Sequence, residues 1–139
     1  MKGSKGFSLI EAIVILLIIN ALIAFFVIGG IRFRSALEYS YSIHQIVSDI
    51  KLTQQLADTS IQLCRIDFKT GGNRYTITKG GNIFKSGIVG GKVQFQGKDH
   101  FSFVQSGYTD VGGSGTLILG GAPVSRKIIV SSRGRIRVE

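Results

Sequence analysis

Apolar and polar positions are spread very unevenly along this chain. From Ala12 to Ile28, seventeen consecutive residues include one polar side chain, Asn20, and Phe7 to Ile10 carry the run further towards the N-terminus. A helix that is apolar all round and of this length is about long enough to cross a ~30 Å hydrocarbon layer. After Gly29-Gly30 the pattern becomes amphipathic. Between Ala36 and Asp58, Ile43, Ile46, Val47, Ile50 and Ala57 recur at helical spacing, and Ser48, Asp49, Lys51 and Gln55 fall mostly away from them. Two adjacent glycines cost a helix roughly 1 kcal/mol each relative to alanine, so Gly29-Gly30 marks an expected flexible point or kink. No glycine or proline lies between Gly30 and Thr59-Ser60. The pattern predicts one long N-terminal helix whose second half lays its apolar face on a sheet.

From Ile61 the period changes to that of strands. Ile61 to Lys69 and Arg74 to Thr78 read as a hairpin around Thr70-Gly71-Gly72-Asn73, and Gly80-Gly81 turns the chain into Asn82 to Lys85. Further strands are expected at Val93 to Phe95, His100 to Val104 and Thr116 to Leu119, the last after a glycine-rich loop from Gly107 to Gly115. Arg126 to Ser131 and Arg135 to Val138 close the chain around a turn at Arg133-Gly134. One helix followed by a run of short strands predicts an α+β fold with an antiparallel sheet.

Composition narrows the function more by exclusion than by indication. A chain of 139 residues allows one domain beside the apolar helix, and its apolar content is too high for a disordered chain despite nineteen glycines. One cysteine, Cys64, excludes an intramolecular disulfide and the usual cysteine zinc sites, and its strand pattern reads as a small buried hydrophobe. Gly90-Gly91-Lys92 is followed by Val93 where a phosphate loop needs Ser or Thr, and Gly112-Gly113-Ser114-Gly115 lacks the spacing of a nucleophile elbow. His44 and His100 lie on different elements, and the eight carboxylates are scattered. No catalytic residue, metal site or cofactor site is expected. Asn20 is expected to bond a carbonyl one turn away in the monomer, a bond to a neighbouring helix being the alternative reading.

The start of the chain carries the most specific signal. Lys2 and Lys5 form a short basic leader, Glu11 is a lone carboxylate at the head of the apolar run, and no small-residue cleavage site follows Ile28. The apolar segment is therefore expected to be retained. Gly6-Phe7-Ser8-Leu9-Ile10-Glu11 resembles the processing motif of type IV prepilins. That resemblance implies cleavage between Gly6 and Phe7 by a prepilin peptidase, methylation of Phe7, and a Glu11 carboxylate that pairs with the terminal amine of a neighbouring subunit. It further implies a leader at 1–6, a membrane and filament-core half-helix at 7–31, an amphipathic half-helix at 32–60 and a β domain at 61–139. Many major pilins carry a proline near the depth of Gly29-Gly30; this chain has none there. Basic residues flank the span evenly, Lys2 and Lys5 against Arg32 and Arg34, so orientation rests on the resemblance, which puts the domain outside the cytoplasm.

The rest of the chain is similar to one pilin subgroup. The helix end Leu52-Thr53-Gln54-Gln55, the hairpin Arg65-Ile66-Asp67-Phe68 to Tyr75-Thr76-Ile77, the strand Gly115-Thr116-Leu117 and the closing Ile128 to Arg137 resemble the GspH/FimT type of minor pilins and pseudopilins, ComGD-like competence pseudopilins included. Such subunits are scarce components at or near a filament tip, in a type IV pilus or a type II secretion system, and their partners are other pilin subunits.

The formal charge of +9, or +7 without Lys2 and Lys5, favours anionic partners. Arg126, Lys127, Arg133, Arg135 and Arg137 crowd into the last fourteen residues against Glu139 alone. In a strand, Arg135 and Arg137 share a face roughly 6.6 Å apart, a spacing at which two guanidiniums reach phosphates of one nucleic-acid strand. Gly134-Arg135-Ile136-Arg137 also resembles a Gly-Arg-x-Arg signature of DNA-binding FimT-like minor pilins, where it serves DNA uptake. Charge on a solvated edge strand and attraction to a membrane surface are the alternative readings.

Overall fold

A computed structural model describes residues 9–90, 93–121 and 125–139, without the side chain of Arg32. One helix, α1 (Leu9–Asp58), leads into eight strands: β1 (Cys64–Phe68), β2 (Arg74–Lys79), β3 (Asn82–Ile88), β4 (Gln94–Gly97), β5 (His100–Phe103), β6 (Gly115–Gly120), β7 (Arg126–Val130) and β8 (Ile136–Val138). The chain divides into two units, the first ending at Leu37 and the second running Glu38–Glu139. Within the first unit Gly29 and Gly30 are both helical. The large apolar side chains from Leu9 to Leu37 are exposed, and Asn20 Nδ2 donates to Leu16 O at 2.8 Å, the local bond expected of it.

The second unit is built on α1 from Glu38 onward and two four-stranded antiparallel sheets. Their orders are β3-β2-β1-β5 and β4-β6-β7-β8. The expected single sheet is thus a pair, and the strands of each are not consecutive. Both sheets bury one face in a common core. Phe68 and Tyr75 of the first sheet meet Phe95 of the second, with Phe68 and Phe95 ring centres 5.1 Å apart, and Phe101 packs edge-on against Phe68. The edge of β4 is fastened to the β1–β2 turn by Gly71 N to Phe95 O (2.8 Å) and Phe95 N to Gly72 O (2.9 Å). Helix residues Ile46, Ile50 and Ala57 are buried in this core, and Ile43 and Val47 pack beside them, as their spacing predicts.

Two local expectations need correction. The helix stops at Asp58 because Thr59 and Ser60 cap it, Thr59 Oγ1 bonding Gln55 O and Ser60 Oγ bonding Leu56 O. Residues 61–63 then carry the chain across to the sheet, so β1 begins at Cys64 and not Ile61, which is 90% exposed. Asp49, expected away from the apolar face, is buried. Its carboxylate accepts from the Tyr75 hydroxyl and, at 2.6 Å, from Lys85 Nζ, and Gln45 Nε2 donates to the Tyr75 hydroxyl at 3.0 Å. The Tyr75 ring lies against Gly87 of β3, where any Cβ would overlap it. Cys64 is fully buried with a free thiol.

Candidate functional site

The processing residues Gly6 and Phe7 lie outside the described residues. Glu11 is in the earliest described turn of α1 and is exposed, at the head of an apolar stretch that nothing in the described chain covers. A carboxylate in that setting needs either water or a partner of opposite charge.

The basic residues near the C-terminus divide into groups. Ile128, Val130 and Ile136 turn to the core, so alternation places Lys127, Arg135, Arg137 and Glu139 on the outer face of the second sheet. Lys127 and Glu139 exchange both backbone bonds, at 2.7 and 2.9 Å, and so stand opposite each other. Arg137 pairs with Ile129. Arg135 and Arg137 are exposed and make no ion pair among the described residues. Arg126 pairs with the buried Leu119, which puts it on the other face at the strand's end, and Arg133 lies in the turn. Of the five, therefore, Lys127, Arg135 and Arg137 form one outward strip.

Arg135 precedes β8 instead of opening it. Its backbone closes the β7–β8 turn: Ser131 N donates to Arg135 O at 3.0 Å, and Arg135 N donates to Ser131 Oγ at 3.1 Å. Gly134 supplies the left-handed φ of 74° that this turn requires. It is also buried, and a Cβ there would overlap the Gly107 carbonyl oxygen. Gln54 of α1 ties the two turns together, its Nε2 donating to Gly107 O at 2.9 Å and to Gly134 O at 3.3 Å. The glycine of Gly134-Arg135-Ile136-Arg137 thus anchors the turn to the helix, and the arginines ride on that anchor. Gln54 was not among the predicted site residues, and no local pattern marks it, since its partners lie 53 and 80 residues away.

A groove of about 440 Å³ opens between Lys51, Gln55 and Asp58 of α1 and the turns at Gly107 and Gly134. Its lining also includes the Gln54 amide and the Ser106 hydroxyl. His44 is exposed, and His100 Nδ1 meets Asp99 Oδ1 at 2.8 Å, a bond that holds the Asp99 carboxyl below its usual range. Among the described residues no three His, Cys, Asp or Glu side chains gather as metal ligands.

No family model matches the chain, and no curated protein matches it. Among solved structures it is similar to the type IV minor pilin FimU of Pseudomonas aeruginosa, with a TM-score of 0.58 at 15% sequence identity, covering 72% of this chain and 91% of that one. The fold is pilin-like. A long apolar N-terminal helix followed by antiparallel sheets is the α+β arrangement the residues predict.

Proposed function

We propose that this chain is a minor pilin or pseudopilin: a subunit of a type IV filament-like machine, not an enzyme. The observation that carries the reading is the pilin-like fold joined to an uncovered apolar helix with Glu11 at its head. A prepilin peptidase cleaves between Gly6 and Phe7, and Phe7 becomes the methylated terminus. The subunit waits in the inner or cytoplasmic membrane as a single-pass protein with its β domain outside the cytoplasm. Glu11 then pairs with the terminal amine of a neighbouring pilin subunit as the helix leaves the bilayer. Low abundance and a place at or near the tip belong to the same reading. Lys127, Arg135 and Arg137 give that tip an outward cationic strip for DNA phosphates, which suits a competence or uptake pilus.

The test begins with intact mass of the cell-derived chain, expected to lack residues 1–6 and to carry one added methyl group. Glu11→Ala is expected to be cleaved normally yet to stay out of filaments. An uncut chain, or normal filaments built from the variant, sinks the reading.

A second reading is an H-type pseudopilin of a type II secretion system with a purely structural role. The position of β8 at the edge of its sheet favours it, because arginines there also deter edge-to-edge pairing.

A further inference from the structure

A second cationic site lies on the other sheet. Phe68 pairs with Tyr75, both buried, and one step beyond them Lys69 N donates to Arg74 O at 3.0 Å. Strand alternation therefore turns Lys69 and Arg74 together onto the outer face, where both are exposed. One row along that face, Thr76 and Ser86 are cross-strand partners, and Ile88, 56% exposed, is the partner of Arg74. Arg74, Thr76, Ser86 and Ile88 line a groove of about 580 Å³.

Like charges directly across a sheet are destabilising unless something offsets them. Neither Lys69 nor Arg74 has an ion pair among the described residues. Asp67, the partner of Thr76 across the sheet, is held by Arg65 Nε at 2.5 Å, and Asp99, between β4 and β5, is held by His100. Two unpaired cations beside two hydroxyls form a receptor for a phosphate, which a guanidinium can fork while the hydroxyls donate to its remaining oxygens.

The surroundings select the kind of phosphate. Ile88 continues along the sheet edge into Phe84, 53% exposed, and Ile83, 71% exposed. Exposed apolar side chains beside basic ones suit a lipid surface, where headgroup charge and acyl chains lie side by side. The site also lies at the end of the domain where α1 enters, since Ser42 Oγ bonds Gly90 O two residues past Ile88.

We propose that Lys69, Arg74, Thr76 and Ser86 bind the headgroup phosphate of an anionic phospholipid, with Ile88 against the lipid's apolar part. This rests on the membrane anchoring in the reading above, but not on processing, filament assembly or DNA.

The test is amide hydrogen exchange on the full chain in nanodiscs of phosphatidylcholine, with or without about one third phosphatidylglycerol. Phosphatidylglycerol is expected to slow exchange of the 69–76 and 82–88 amides about fivefold. The Lys69→Gln/Arg74→Gln double variant is expected to lose that difference while melting at the same or a slightly higher temperature, since the two like charges no longer face each other. Equal exchange in both lipids, or slowing that survives in the variant, overturns the site. So does equal slowing by inorganic phosphate in phosphatidylcholine discs, or slowing that requires added DNA. A chain that never enters the discs overturns the membrane reading and this site with it; one that enters without a lipid difference overturns this site alone.

Discussion

Asp49 has the most demanding position of any charged residue described, nearly sealed from solvent between α1, β2 and β3. A buried carboxylate is tolerated only when its lone pairs are filled, and here a phenol and an ammonium fill them. The phenol is affected in turn: burial first, and the Asp49 hydrogen bond second, raise the Tyr75 pKa well above that of an ordinary tyrosine. A raised value means that the folded state holds this proton more tightly than the unfolded chain does. The stabilisation is therefore complete below the unfolded pKa of about 10 and is lost as pH climbs from there towards the folded value. Urea midpoints are expected to fall steeply above pH ~10 in the wild type and less steeply in Tyr75→Phe; parallel curves contradict this. Asp49 was not legible in the sequence as an interior residue. Helical periodicity sorts side chains by polarity, so a carboxylate next to Ile50 reads as outward unless its partners are known, and those stand 26 and 36 residues further on.

The elements themselves were easier to read than their pairing. Ile43, Ile46, Val47, Ile50 and Ala57 mark the buried stripe of α1 because an amphipathic period is a local property. Six of the eight strands fall within about two residues of where alternation and glycine turns put them, whereas β3 runs on to Ile88 and β1 starts later because the chain must first leave the helix. The division into two sheets was hidden, because β4 and β5 are neighbours in sequence but belong to different sheets. The basic hairpin shows the same contrast. Its arginines are obvious in the sequence, yet what holds them is Gln54, on an element far away along the chain. Gln54→Ala removes one donor serving two turn carbonyls, a loss of about 1 kcal/mol. Amide exchange at residues 131–135 is expected to quicken about fivefold while the strands of the first sheet keep their protection; uniform quickening shows general destabilisation instead.

At the scale of the molecule, positive charge is placed on two outward faces, one on each sheet, while the core between them is aromatic and aliphatic. The strip on the second sheet has a defined signature in solution. If Arg135 and Arg137 each meet a phosphate, DNA binding by the detergent-solubilised full chain weakens with salt, and Arg135→Ala/Arg137→Ala makes the log-log slope shallower by roughly 2. If neither protein binds at low salt, the arginines guard an edge strand and the secretion reading leads. Which machine the proposed subunit would serve was not legible in its residues, because a motif that resembles a processing site and a helical stripe speak only of how such a chain is made and packed. The core has its own consequence. Cys64, the single thiol in the chain, sits sealed between β2 and β5, so alkylating reagents and oxidants reach it only when β1 parts from its neighbours. Its rate of modification is a built-in clock for the opening of the domain, readable without any added probe.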